Sequence, residues 1–350
     1  MLDSDTPYLR NFWYLAALGR DLKPGTTLAR TLLDEPVLLG RTGEGRVFAL
    51  RDVCPHRGVP LRYGDFDGRE VACCYHGWKF GPDGRCTEIP SLVPGQTFNV
   101  ERVKVPAYPC QEVQGNVWVF IGDETHKNGA APPDLLRLPD IGDARPQVAI
   151  ERAFPCNADH AAFGLMDPTH AAFVHTSWWW KKKARTLRQK HKDFEPAPLG
   201  WRMKRHKLPP ENRVYKLLGR EVTTEITYAL PGIRVEHIKG DRDVAVGLTA
   251  ITPVTASETV VHQSLYCTLG WLAPFRPLAR LLAGIFLDQD RDMVIKQQEG
   301  LAYQPNLMLV DDADTQAKWY HRLKTEWLKA EAEGRAFENP LQPKSLSWRS

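Results

Sequence analysis

Two short runs, Cys54-Pro55-His56 and Cys73-Cys74-Tyr75-His76, each bring a thiol and an imidazole together, in the pattern C-x-H, sixteen intervening residues, C-x-x-H. Gly58 and Gly77 close behind them allow two tight loops to present four ligands to one point. A Cys₂His₂ set suits tetrahedral zinc, or a [2Fe–2S] cluster with two histidines on one iron. Zinc fingers usually pair like with like, whereas each half here holds one Cys and one His. Further on, Asp167-Pro-Thr-His170-Ala-Ala-Phe-Val-His175 spells D-x₂-H-x₄-H. On an unbroken helix 167 and 170 share a face, but 170 and 175 lie roughly 140° apart. Both imidazoles meet one metal only if the helix ends or bends around Phe173 and Val174. The plainer reading is an Asp N-cap followed by Pro at the first helical position, with two histidines on the surface.

The first constellation resembles the Rieske motif, in which both cysteines bind one iron and both histidines the other, so each loop must supply one of each. Gly77-Trp78 and Asp83-Gly-Arg85 extend the likeness. Cys73 rather than Cys74 has the two-residue spacing to His76; many relatives have proline where Cys74 stands. Cys74, Cys86, Cys110, Cys156 and Cys267 are then read as small, mostly buried apolar side chains. With that motif upstream, the D-x₂-H-x₄-H run resembles the mononuclear site of the Rieske non-haem iron oxygenases, where two histidines and a carboxylate hold Fe(II) and leave positions open for O₂.

The family's third ligand comes from a late helix, and Leu287-Asp-Gln-Asp-Arg-Asp-Met293 supplies three candidates. In a helix, Phe286, Asp290, Met293 and Gln297 fall at i, i+4, i+7 and i+11. That puts Asp290 on the apolar, inward face and turns Asp288 and Asp292 away. The resemblance implies His170, His175 and Asp290 as iron ligands. It implies Asp167 as a bridge between His76 of one subunit and His170 of the next. Gly164 stands where many relatives carry Asn or a similar polar residue.

The likeness runs from Phe12-Trp-Tyr-Leu15 to the late acid and is strongest to the branch that includes vanillate O-demethylase and dicamba monooxygenase. It implies an α+β chain: an all-β Rieske [2Fe–2S] domain over 1–122, a linker over 123–147, and a catalytic helix-grip domain over 148–350. It further implies a homotrimer taking electrons from NAD(P)H through a separate reductase or ferredoxin. With O₂ it would hydroxylate, demethylate or dihydroxylate an aromatic or polycyclic hydrophobic substrate, or a sterol-like lipid. A zinc-stabilised binding protein and a Rieske electron carrier without oxygenase activity are the readings of another class.

The elements that must position these residues are legible in the patterning of the 350-residue chain. Short apolar runs between Gly and Pro from about 26 to 122, with a hairpin turn at Thr42-Gly-Glu-Gly45, predict a small β domain. A helical stretch is expected around 158–176. Strands are expected near 221–229, 232–238, 243–252 and 258–268, and helices over about 278–299 and 315–332. The last places Trp319, Leu323 and Trp327 on one face, capped by Asp314 or Thr315.

A net charge of +4 is too slight to imply a nucleic-acid partner, and seven cysteines cannot all pair in disulfides, which fits thiol or metal chemistry in a reducing compartment. The N-terminus shows no secretory pattern, so a cytoplasmic protein is expected. Pro274, Arg276, Pro277 and Arg280 interrupt the longest apolar tract, so no transmembrane span is expected. Trp178-Trp-Trp-Lys-Lys-Lys183 reads either as a basic, aromatic lip for substrate or an electron donor, or as a solvated loop. The Trp271–Leu287 segment reads as core packing in preference to contact with a membrane surface.

Overall fold

A computed structural model describes residues 8–123, 131–175, 177, 187–208 and 215–350. They divide into two compact units, one of Arg10–Arg137 and one that includes Leu138–Ser350. No helix among the described residues is long and apolar enough to cross a membrane.

The first unit is built of short antiparallel strands in three sheets. β1 (Phe12–Leu18) pairs with β11 (Asn116–Ile121), which pairs with β10 (Cys110–Val113). β1 is apolar throughout and β11 is apolar after Asn116, neither alternating, and every residue of both is buried. A second sheet runs β2 (Thr26–Leu32), β3 (Glu35–Arg41), β4 (Val47–Arg51) and β9 (Ala107–Tyr108). The expected turn at Thr42–Gly45 joins β3 to β4, closed by Thr42 N–H on Arg46 O and Gly45 N–H on Thr42 O. The third sheet, β5 (Asp65–Phe66), β6 (Val71–Ala72), β7 (Lys79–Phe80) and β8 (Cys86–Glu88), carries one thiol–imidazole run between β6 and β7.

In the second unit, eight antiparallel strands form one sheet. They are β12 (Val148–Phe154), β13 (Gln189–Ala197), β14 (Gly200–Lys207), β15 (Thr223–Ala229), β16 (Ile233–Lys239), β17 (Val244–Thr255), β18 (Glu258–Cys267) and β19 (Lys344–Arg349). Their spatial order is β12-β18-β17-β16-β15-β14-β13-β19, which leaves β12 at one edge. With them go α1 (Ala158–Met166), α2 (Ala171–Val174), α3 (Arg276–Leu301) and α4 (Thr315–Glu333). The fold is the α+β arrangement that the sequence predicts, strands gripped by helices.

The expected single helix over 158–176 is two. Asp167 precedes Pro168, whose ring disfavours helical dihedrals in the residue before it, and Asp167 has φ −66° and ψ 118°. It therefore stands at the C-cap of α1, and His170 occupies the N-cap position of α2. The N-cap reading of Asp167 is corrected accordingly. α2 stops at Val174, and His175 turns away at φ −83° and ψ 88°, the break that two converging imidazoles need.

α4 buries Gln316, Tyr320, Leu323 and Lys324, and Trp319 and Trp327 are half-buried on the same face as Leu323, Trp319 packing on Phe194 and Trp201. Neither expected cap serves the helix: Asp314 Oδ2 accepts from Val310 N–H and Thr315 Oγ1 from Asp312 N–H. What ties α4 to α1 is a buried ion pair. Lys324 Nζ lies 2.8 and 2.9 Å from the two carboxylate oxygens of Asp159, and Tyr320 donates its hydroxyl to Oδ1 at 2.9 Å. Lys324→Ala would strand a buried carboxylate, so denaturant unfolding of this unit should show a loss of about 3–5 kcal/mol. The double replacement Asp159→Leu with Lys324→Met should recover much of it.

Candidate metal centres

The two thiol–imidazole runs fold as loops with one hydrogen-bond pattern. Cys54 N–H donates to Val59 O and Gly58 N–H to Cys54 O; Cys73 N–H donates to Trp78 O and Gly77 N–H to Cys73 O, all at 2.9 Å. Gly58 and Gly77 have φ of +75° and +70°, which a residue with a Cβ adopts only under strain. The first loop is anchored by the buried Asp52, whose Oδ1 accepts Arg62 N–H at 2.8 Å while Oδ2 pairs with Arg62 Nε at 2.5 Å.

Cys54 and Cys73 point inward, 2% and 4% exposed, among Leu61, Val71 and Phe80. His56 and His76 are half-buried, their ring centroids 4.4 Å apart, and Trp78 stacks on His56 at 4.5 Å. Burial pushes the Cys54 thiol up to about 11. A metal that takes both sulfurs accounts for two neighbouring buried thiols. Inner thiols and outer imidazoles suit an iron–sulfur cluster with the cysteines on one iron and the histidines on the other. Among the described residues, three or more ligand atoms gather within 4.8 Å of one another only at His170, His175 and Asp290. Cys74 is exposed and outside the set.

The second constellation converges on one carboxylate oxygen. Asp290 Oδ1 lies 3.6 Å from His170 Nε2 and 3.5 Å from His175 Nε2. His175 is buried, its ring stacked on Phe286 at 3.6 Å, and its Nδ1–H donates to Gln289 Oε1 at 3.1 Å. Gln289 Nε2 in turn donates to Ser177 Oγ at 2.8 Å, which orients the amide and leaves the Nε2 lone pair of His175 facing Asp290. Asp167 Oδ1 accepts from Thr169 N–H and Oγ1–H at 2.7 and 2.6 Å, and its Oδ2 faces His170 Nδ1 at 3.4 Å, an ion-pair separation.

The charges follow from burial and from one another. Burial lifts Asp290 to about 6, with His170 pulling the other way. It drives His175 down to about 4, so that imidazole is neutral and free to ligate. Burial opposes the charge on His170 too, but the carboxylates of Asp167 and Asp290 outweigh it and raise its pKa. Two imidazole nitrogens and a carboxylate aimed at one point are the donor set of a non-haem iron(II) site with open positions.

The other acids of α3 go elsewhere. Asp288 is held by Arg152 of β12 at 2.7 and 3.3 Å, and Asp292 is exposed. The buried side of α3 is Gly284, Leu287 and Val294, with Met293 and Gln297 exposed, so the expected inward face through Phe286, Met293 and Gln297 is corrected. Phe286 and Asp290 lie on the flank of α3 that meets His175. Gln289 escaped the sequence reading because an amide at that position has no spacing signature. Gly164 is exposed, and a Cβ there would meet nothing within 4 Å. Trp178–Lys183 lies outside the described residues.

Two family models match the chain: the Rieske [2Fe–2S] domain over residues 12–109 and the vanillate O-demethylase oxygenase C-terminal domain over 155–330. The iron–sulfur subunit of a toluene-4-sulfonate monooxygenase system from Comamonas testosteroni is 35% identical over 184 residues, 52% of this chain and 50% of that protein. A 4β-methylsterol monooxygenase of Methylococcus capsulatus is 35% identical over 128 residues, 37% of this chain and 35% of its own. The matched stretches thus span half or less of these curated relatives. A crystal structure of dicamba monooxygenase bound to 3,6-dichlorosalicylic acid superposes with a TM-score of 0.73 at 23% identity, covering 93% of this chain and 99% of that one, a likeness of fold. With a Rieske domain ahead of an oxygenase C-terminal domain that matches half of its length, the chain belongs to the Rieske non-haem iron oxygenase family, whose cofactors are a [2Fe–2S] cluster and a mononuclear iron.

Proposed function

We propose that the chain is the terminal oxygenase component of a system in which a separate reductase or ferredoxin passes electrons from NAD(P)H, and that it hydroxylates or oxidatively demethylates an aromatic or polycyclic hydrophobic small molecule in the cytoplasm. The observation that carries this reading is the convergence of His170, His175 and Asp290 on one point in a chain that also holds a Rieske domain. Cys54, His56, Cys73 and His76 would hold the cluster. His170, His175 and Asp290 would hold the iron, which supplies O₂ activation when bound.

The chain's own residues prepare that site. Gln289 fixes the ring of His175 and its tautomer, and Phe286 covers the ring face. Asp167, locked by Thr169, orients His170 from the far nitrogen; in a homotrimer it would stand as the bridge to His76 of a neighbouring subunit. Gln289→Leu should therefore lower turnover by roughly 10–100-fold and weaken mononuclear iron binding, read by metal analysis beside steady-state rates. Asp167→Asn should keep both metals and lose a similar factor in rate.

The test is turnover of candidate substrates by the iron-loaded chain with a reductase, NADH and isotopically labelled O₂. Label in the product, or in the aldehyde released on demethylation, is expected. A colourless protein carrying zinc, or a cluster protein that never consumes O₂, would overturn the reading in favour of a binding protein or an electron carrier. Oxidation of a sterol-like lipid at the same site is a second reading, favoured by the likeness to the 4β-methylsterol monooxygenase.

A further inference from the structure

In the middle of the large sheet, the face that the helices cover is the one with half-buried residues. Trp201, stacked on Tyr228, meets Gln316 and Trp319 of α4, and Arg152 meets Asp288 of α3, so residues in phase with them along the register face the helices. On β16, β17 and β18 these include Arg234, Glu236, Gly247, Gln263 and Leu265, all half-buried, the Arg234 and Glu236 side chains 21% and 20% exposed. On the opposite face Val235, Val246, Leu248 and Ser264 are buried. A face gripped by helices and still partly open encloses a hollow.

Walls close that hollow on four sides. α4 covers Trp201 and Tyr228, and α3 covers β12. α1 crosses β17 and β18, its Asp159 linked through the Tyr320 hydroxyl to Pro231 O ahead of β16. At the other end Leu218 and Leu272 pack with Ile238, Ala245 and Cys267. Across the floor the register sets Arg234, Thr249 and Gln263 in one row on neighbouring strands, about 5 Å apart. The next row carries Arg152, which holds α3 at Asp288, two residues from Asp290. The floor therefore borders the helix of the iron site.

Arg234 Nη2–H donates to Glu236 Oε2 at 2.9 Å and Nε–H to Tyr228 Oη at 3.4 Å. Its Nη1, the Thr249 hydroxyl and the Gln263 amide have no hydrogen-bond partner among the described residues. Polar groups taken from bulk water cost free energy unless they are paired, and a few of them aligned in a mostly apolar hollow are what orients a small molecule. Gly247 leaves room beside them: within 4 Å, a Cβ there would meet only Glu236 Cβ, at 3.8 Å. Charge then selects the group. Glu236 balances Arg234, so the row has no net charge, and a carboxylate set against Arg234 would also lie beside Glu236.

We propose that Arg234, Thr249 and Gln263 are specificity-determining residues that hold a neutral oxygen acceptor, a carbonyl or hydroxyl, on an otherwise apolar substrate, while Glu236 excludes carboxylates. That the bound molecule is the substrate rests on the proposed oxygenase function; the binding preference does not.

The test is equilibrium dialysis of the full-length, iron-loaded chain, without reductase, against one-, two- and four-ring aromatic bodies, each as methyl ketone, ethyl isostere and carboxylate. On a body that fits, the ketone should bind at least about tenfold tighter than the other two forms, the worth of a hydrogen bond from a charged donor. Glu236→Gln keeps an acceptor for Arg234 and removes the negative charge. It should raise affinity for the carboxylate at least about tenfold and leave the ketone within about threefold. Arg234→Met with Glu236→Met should lower the ketone to the level of its isostere, with circular dichroism and the cluster's visible absorption reporting the fold; where that variant does not fold, Glu236→Gln decides alone. Equal binding of ketone and isostere, a carboxylate that binds the unaltered chain tightest, or no binding of any probe would overturn the proposal. Unchanged carboxylate affinity in Glu236→Gln would overturn it as well. A ketone preference with no turnover once reductase and NADH are added would leave the binding row standing and remove the oxygenase reading alone.

Discussion

Asp290→Ala, His170→Ala and His175→Ala are each expected to abolish substrate-dependent O₂ consumption while leaving the brown colour of the cluster in place. The three donors share one point, with Asp290 Oδ1 at 3.6 and 3.5 Å from the two imidazole nitrogens, so removing any one leaves a two-ligand site that cannot retain iron. The loss should exceed the roughly 10–100-fold set by an outer partner such as Gln289. Iron analysis should show the cluster's two irons retained and the third gone. Asp288→Ala is the control, because its carboxylate is already held by Arg152. It should keep the mononuclear iron and lose only a surface pair worth about 0–1 kcal/mol. Full mononuclear iron in Asp290→Ala, or its loss in Asp288→Ala, would move the ligand assignment along α3.

The adjacent cysteines give the second large contrast. Cys73→Ser should yield protein without the visible absorption of a [2Fe–2S] cluster, whereas Cys74→Ser should absorb as the parent does. Cys73 is buried beside Cys54 and its backbone closes the loop at both ends, N–H to Trp78 O and O from Gly77 N–H. Cys74, next along the chain, points to solvent. A serine in place of Cys73 lacks the thiolate that the cluster requires, and it leaves Cys54 alone in an apolar pocket that disfavours its ionised form. Bleaching by Cys74→Ser with colour retained in Cys73→Ser would reverse the register.

Ligand types, their order and their spacing were legible in the sequence because each is local: C-x-H and C-x-x-H set the two loops, and the glycine behind each pair marks a backbone turn that needs positive φ. The spans of β15 to β18, α3 and α4 were legible for the same reason, since alternation and the 3.6-residue period follow from neighbouring side chains; β1, β12, β13, β14 and β19 were not expected, and half of the large sheet was therefore found only in the structure. Only the tertiary structure decided what depends on distant partners. Pro168 breaks the helix locally, yet it is the packing of α3 beside α2 that brings Asp290 onto both histidines. Arg152, on a strand more than a hundred residues away, claims Asp288, the acid that the helical period turns away from the site. Gln289 meets His175 across 114 residues of chain. Trp271, Leu278 and Leu281 are expected as core packing, but burial is a property of what lies opposite, and each is more than half exposed, which corrects that expectation for these three.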